Sequence, residues 1–368
     1  MSIMTHMISM SRSILRRQSK TMAKLASGSL VAGSIFAAST SVVFAQTSLA
    51  EIEKAAHLEG PMTWYVSFYG ASIAEQAAAA FAKKYPGLKV NVVRATTGGI
   101  FQRLNQDMRS QNMIASVVTM SGVGDYYGIL MRAKQLAEYT PQAADQIINV
   151  AKPTITPGYV YPMGGGIMSI AYNSKLLDAE RAPKSWSDIA DGKWDGKVVL
   201  GHPSFSGFDA ALVVFLAGEK GWDFFKNLQK EKPLIQRSTF DAITSLTSGE
   251  RVIGAIPDGM AAESAQKGNP ITIVYPTDGS LFILGLTAIM KDAPQPNTAK
   301  LFTEFLLSKE HAQIVVENYY HSVVQGVSRE LAGGRKLDDI KLVPLLPSAK
   351  YEEDLKKSTN EWLEIFGG

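Results

Sequence analysis

The stretch MTWYVSFYGASIAEQAAAAFAKKYPGLKVNVVRATTGG, residues 62–99, decides the fold class. Its first seven residues are an apolar run rich in aromatic and β-branched side chains, which reads as a buried strand. Residues 70–85 are alanine-rich and put Ile73, Ala77, Ala80 and Phe81 on one helical face; Pro86-Gly87 then ends the helix. A second strand follows over 88–93. Strand, helix and strand in this order form a crossover unit, which implies a parallel sheet covered by helices.

The same alternation continues outward. Ser48-Leu49-Ala50-Glu51 is a capping box that opens a short helix before the first strand. Helix 100–111 and strand 116–120 come next, then strand 197–201, helices 208–218 and 239–248, strand 252–256, helix 260–267 and strand 271–274. Two terminal helices, 298–318 and 351–366, carry apolar stripes that include Phe302, Phe305 and Leu306, then Leu355, Trp362 and Phe366. The fold class is α/β, and 368 residues suffice for two domains or one large one.

Composition excludes several classes. The chain has no Cys, hence no disulfide, thiolate metal site, catalytic thiol or thiol-linked lipid. Its net charge of +3 is unevenly spread. Residues 1–45 hold Arg12, Arg16, Arg17, Lys20 and Lys24 and no acidic residue; removing those five from 37 leaves 32 basic residues against 34 acidic. Nucleic-acid binding thereby loses its electrostatic motive. The same segment has a small-apolar run over 30–38 and small residues three and one places before a cut after Ala45, the three parts of a secretory signal. The expectation is an exported, periplasmic chain starting at Gln46. Met1 and Met22 both stand as start residues, and the Sec and twin-arginine routes both stay open.

Enzyme signatures are missing: there is no His-Glu-x-x-His, Gly-x-Ser-x-Gly or phosphate loop, and the five histidines make no metal-ligand spacing. Gly122-Val123-Gly124-Asp125 comes near a dinucleotide fingerprint with the wrong spacing. What remains is Gly/Ser/Thr chemistry at strand ends, where open α/β sheets bind ligands against helix N-termini. Four loops occupy that position: Ser67-Phe68-Tyr69-Gly70, Thr96-Thr97-Gly98-Gly99, Ser121-Gly122 and Ser204-Phe205-Ser206-Gly207. Each offers hydroxyls and backbone N–H groups suited to carboxylate, phosphonate or sulfonate oxygens. Each is also an ordinary helix cap; four at equivalent positions favour a shared pocket. The candidate residues are Ser67, Tyr69, Thr97, Gly98, Ser121, Ser204, Ser206 and Gly207. Tyr69 and Phe205 suit either the cavity or the core. Arg94 is the one arginine beside these loops, which disfavours a doubly charged phosphomonoester.

Tyr161-Pro162, Ala171-Tyr172-Asn173-Ser174-Lys175-Leu176-Leu177, Pro183-Lys184-Ser185-Trp186-Ser187-Asp188-Ile189 and Lys193-Trp194-Asp195-Gly196-Lys197-Val198 resemble the middle of bacterial extracellular solute-binding proteins. Residues 293–296 and 305–313 resemble that family's C-terminal segment, in the branch with ferric-iron, phosphosugar and phosphonate receptors. The resemblance implies a two-lobed type 2 periplasmic binding protein fold with two hinge strands, closing on a small solute. The receptor delivers that solute to an ABC permease in the inner membrane, as a monomer without cofactor. By that analogy the first lobe is 46–165 with 280–368, the second is 166–279, and the hinges lie near 163–169 and 277–281. Gly164-Gly165-Gly166 and Asp278-Gly279 fit as flexible crossing points.

Iron receptors of the branch use adjacent tyrosines after the strand that here is 252–256; this chain has Pro257-Asp258-Gly259 instead. Asp258 is then a candidate to hold the amine or hydroxyl of a small organic anion such as an aminophosphonate, or the middle of a turn. A ferric-iron receptor and the ligand-sensing partner of a membrane receptor remain the alternatives. The cysteine-dependent enzymes of this fold are excluded.

Overall fold

The computed structural model describes residues 48–121, 126–331, 335–344 and 349–367. The expected export signal, 1–45, and Gly122–Asp125 lie outside them. The chain opens with α1 (Leu49–Ala56), whose Ser48–Glu51 capping box forms as expected. Next come β1 (Met62–Val66), α2 (Ala71–Lys84), β2 (Val90–Arg94), α3 (Thr97–Arg109), β3 (Val117–Ser121) and α4 (Tyr126–Arg132). β1 lies between β2 and β3, parallel to both, so the opening crossover reading holds.

The sheet is mixed beyond this point, because two long strands pair antiparallel with each other and with several of their neighbours. β4 (Tyr161–Asn173) spans 13 residues, all buried. It is followed by β5 (Val198–Gly201), α5 (Gly207–Lys220), α6 (Trp222–Lys230), β6 (Leu234–Gln236), α7 (Thr239–Thr247), β7 (Ile253–Pro257), α8 (Asp258–Gln266) and β8 (Ile271–Val274). Then come β9 (Ser280–Ile289), α9 (Pro296–Leu306), α10 (Lys309–Glu317), β10 (Leu342–Pro344) and α11 (Ala349–Phe366). The ladder runs β2-β1-β3-β9-β4-β7-β5-β6, with β10 on β9 and β8 on β4. The first half of β4 pairs antiparallel with β9, and its second half with β7 and β8.

β4 and β9 thus carry the chain between two apolar cores. Phe282, Leu284 and Leu286 of β9 face the first core, with Trp64, Phe81 and Phe302. Leu281 and Ile283, on the opposite face, join the second with Trp186, Phe225 and Trp362. A strand buried on both faces shows no polar alternation, and side chains at successive positions still point to opposite sides.

Gly164, Gly165 and Gly166 lie inside β4, in regular pairing with β9, rather than in a flexible turn. Glycine is needed there for close approach: a β-carbon would meet the Tyr69 hydroxyl at 164 and the Phe282 ring at 165, and would lie 2.9 Å from the Phe208 ring at 166. Gly285 of β9 likewise lets the Phe68 ring within 2.5 Å of where a β-carbon would be. Phe68 and Phe208 therefore seat on the crossing strands and stack on each other, 6.0 Å apart at 24°.

Two further expectations change. The single helix read over 298–318 is two, because Ser308 caps α10 through a bond from the His311 N–H at 3.2 Å. Pro257-Asp258-Gly259 is not a turn; Asp258 begins α8 directly after β7. α11 packs on α5 and α6, burying Tyr351 and Trp362 in the second core.

Candidate functional site

A cavity of about 440 Å³ opens where the strand ends of both cores meet. Its most ordered polar feature is a row of hydroxyls. Ser67 Oγ lies 2.9 Å from Thr97 Oγ1, which lies 2.9 Å from Ser121 Oγ. Three successive strands, β1, β2 and β3, place these groups in line because each strand ends at the same level and feeds a helix. Thr97 begins α3 three residues earlier than the sequence reading; Thr96 is the true cap, accepting from the Gly99 N–H at 3.2 Å.

Five helix N-termini converge on the same cavity. Gly70, Thr96, Ser206, Ser238 and Pro257, the residues capping α2, α3, α5, α7 and α8, all line it. Gly70 brings α2 no side-chain cap, leaving its first-turn N–H groups to solvent or solute. Each N-terminus carries roughly half a positive charge. Two guanidiniums add to this field: Arg94 lies over the Phe240 ring at 5.8 Å, and Arg237 over the Phe205 ring at 5.3 Å. Arg94 also donates from Nε to the Tyr69 carbonyl at 3.3 Å.

Seven of the nine sequence-predicted residues come together on this wall: Ser67, Thr97, Gly98 and Ser121 from one side, Ser204, Ser206 and Gly207 from the other. Tyr69 does not. It is fully buried, its ring packed on Tyr320 at 5.3 Å and His311 at 6.0 Å, so it is a core residue. Its neighbour Phe68 takes the cavity position.

Asp258 also leaves the cavity. It is fully buried and accepts from the Ile167 N–H at 3.1 Å, the Tyr275 hydroxyl at 3.1 Å, His321 Nε2 at 2.8 Å and Arg329 at 2.7 Å. Burial pushes its carboxyl up, but the charges of His321 and Arg329 and these hydrogen bonds outweigh that and hold it below the ordinary value. Its role is to tie β4, α8 and the segment after α10 together.

Arg237 and Phe240 were missed because β6 is only three residues long and gave no strand signal before their loop. The Ser238 cap of α7 was the available clue. Arg237 also removes the argument against a doubly charged anion, which rested on Arg94 alone. Leu355 and Thr359 of α11 line the cavity as well, a placement that no local pattern reveals.

Behind this wall, His202 holds the 202–206 loop. The Ser204 N–H donates to His202 Nδ1 at 3.1 Å, and the ring packs against Phe205 at 5.2 Å and Trp362 at 6.3 Å. Burial lowers its pKa, favouring the neutral ring that accepts this bond. Among the described residues no group of three or more His, Asp or Glu side chains could hold a metal ion.

Comparison with known proteins matches this geometry to a family. The model for bacterial extracellular solute-binding proteins covers residues 112–341. An uncharacterized protein of Haemophilus influenzae is 28% identical over 66% of this chain and 71% of its own length. A putative 2-aminoethylphosphonate-binding periplasmic protein of Salmonella paratyphi A is 26% identical over 62% of this chain and 67% of its own. Among solved structures, the periplasmic binding protein AfuA from Actinobacillus pleuropneumoniae, with fructose-6-phosphate bound, superposes with a TM-score of 0.71 at 25% identity; the match covers 83% of this chain and 98% of that one. The fold is the two-lobed one of periplasmic binding proteins. With more than half its length matched, the chain belongs to the bacterial extracellular solute-binding proteins.

Proposed function

We propose that this chain is a periplasmic receptor that captures a small organic anion between its lobes and delivers it, as a monomer, to an ABC permease. The observation that carries the reading is the convergence of five helix N-termini, three linked hydroxyls and two guanidiniums on one cavity. Such a field favours an oxyanion and repels a free cation. The ligands named for the Salmonella and Actinobacillus relatives both carry a phosphorus oxyanion, which supports the same chemistry. An amine on the solute loses its expected partner, since Asp258 is spent on His321 and Arg329. Ferric iron would need phenolate donors. Burial pushes the Tyr320 hydroxyl up to about 12, which opposes ionisation of one of the cavity's two phenols, Tyr126 and Tyr320.

In this reading β4 and β9, near residues 163–169 and 277–281, serve as the hinges. One lobe is 46–165 with 280–342. The other is 166–279 with α11, which the resemblance assigns to the first lobe together with the rest of 280–368. Closure about them would carry Ser204, Ser206 and Arg237 toward the hydroxyl row. α11 rides on the second lobe, where it packs.

A thermal-shift screen of the purified protein against carboxylates, phosphonates, sulfonates, phosphosugars and ferric citrate tests the reading. An oxyanion at 100 times its dissociation constant adds about 2.7 kcal/mol of stability and raises the melting temperature visibly. A response to ferric citrate alone, or to no oxyanion at all, contradicts it.

A further inference from the structure

We infer that the solute carries its oxyanion on an aromatic ring, an inference that rests on the anion-receptor reading above. Most large apolar side chains among the described residues are buried, and of the few exposed ones the two phenylalanines are Phe205, 47% exposed, and Phe240, 50% exposed. Both open onto the candidate cavity. Exposing two phenylalanines beside an anion site costs solvation unless a ligand covers them. Each ring has one face engaged by a guanidinium, Arg237 on Phe205 and Arg94 on Phe240. A guanidinium held over a ring still has N–H groups at its edge that can reach an oxyanion nearby. Arg94 keeps its two terminal nitrogens for this, its Nε being bonded to the Tyr69 carbonyl. The remaining ring surface and edges suit the face or edge of an aromatic solute.

The rest of the wall agrees. Phe68, Phe208, Met260 and Leu355 extend the apolar surface. The polar side chains among the described lining residues are hydroxyls and guanidiniums. Those groups serve one compact oxyanion. A polyol phosphate needs more: its ring hydroxyls are donors and acceptors that would be stripped of water against phenylalanine. An aminophosphonate fares no better, because its ammonium would enter the field of two arginines and five helix N-termini. An aryl phosphonate, sulfonate or carboxylate meets both halves of the wall, and the arms of the test separate these oxyanions.

The experiment is calorimetric titration of the whole protein with phenylphosphonate, benzenesulfonate, benzoate, methylphosphonate, glucose 6-phosphate and 2-aminoethylphosphonate. At least one aromatic oxyanion should bind about tenfold or more tighter than methylphosphonate, glucose 6-phosphate and 2-aminoethylphosphonate. Phe205→Ala and Phe240→Ala should each weaken that aromatic ligand roughly five- to tenfold more than they weaken methylphosphonate. Both side chains are half exposed, so the variants should keep the wild-type melting temperature, and Phe240→Leu checks bulk against aromaticity. Tighter binding of glucose 6-phosphate or 2-aminoethylphosphonate than of every aromatic probe overturns the inference while leaving the anion receptor standing. No binding by any aromatic probe, with a hit for another oxyanion in the wider screen, overturns the inference alone; no binding by any oxyanion in either experiment overturns both.

Discussion

Replacing Asp258 by alanine removes one acceptor from four donors in a site that excludes water. Arg329 then stays nine-tenths buried with no counter-ion, and the Ile167 N–H, the Tyr275 hydroxyl and His321 lose their partner. Breaking a buried pair from one side typically costs about 3–5 kcal/mol, because the remaining charge keeps its desolvation penalty. A folded unit spanning Thr47–Gly368 unfolds with an entropy near 0.7 kcal/mol per degree, at about 2 cal/mol/K per residue. The melting temperature should therefore fall by about 4–7 °C. Scanning calorimetry of Asp258→Ala, Arg329→Met and the double variant checks this. The double variant should cost less than the sum of the two single ones, since it removes the orphaned charge as well. Asp258 lies off the cavity wall, so solute affinity in Asp258→Ala should change far less than stability does. The wild-type contribution also depends on pH. The carboxyl is held below its usual 3.8, so its stabilisation is fully present above that value and is lost as the pH falls through the lower folded value. A destabilisation under about 1 kcal/mol, typical of an exposed pair, or strictly additive single variants, would refute the cluster's structural role. So would loss of binding at unchanged stability, which would return Asp258 to the ligand.

Other consequences follow from the same packing. His311 is fully buried against Tyr69 and Phe305, and burial lowers its pKa to about 4, the Leu306 carbonyl only partly opposing this. The unfolded chain takes the proton first, so stability is full above about pH 6.5 and drops by about 3 kcal/mol by pH 4. In urea unfolding at pH 7, 5 and 4, His311→Phe should lack this slope; equal slopes would contradict the assignment. The neutral His202 ring accepts the Ser204 N–H, so affinity for a sulfonate, which stays ionised throughout, should hold at neutral pH and fall about fivefold as the ring protonates below pH 6.5. A profile that stays flat through the pH range where the His202 ring is seen by NMR to protonate would remove His202 from that role. Gly165→Ala drives a β-carbon into the Phe282 ring and should cost about 1–3 kcal/mol; an unchanged melting temperature would show that the ring has room to move.

The parts of the architecture that local patterns encode were legible in the sequence. Helical stripes, caps and the first crossover appear where residues 48–121 announced them, and seven loop residues meet on one wall. What escaped depends on contacts distant in sequence. β4 and β9 are buried on both faces and carry glycines for ring contact, so they resemble flexible crossings more than strands. Pro257-Asp258-Gly259 has strong turn chemistry, but Asp258 answers to His321 and Arg329, 63 and 71 residues away, and the segment starts a helix. Tyr69 and Phe68 differ by one position in the bend after β1, and that single step decides between core and cavity. Arg237 sits behind a strand too short for a periodic signal.

The anion-binding claim is tested most directly by titrating the tightest oxyanion from the screen into wild type, Thr97→Val and Arg237→Ala. Thr97 joins Ser67 to Ser121, and its valine isostere keeps shape while deleting the central hydroxyl. A hydrogen bond to a charged group is worth about 1.5–3 kcal/mol, so each variant should bind about ten- to a hundredfold more weakly with little change in melting temperature. Dissociation constants within twofold of wild type in both variants would contradict the account, because the oxyanion would then be held somewhere other than this cavity.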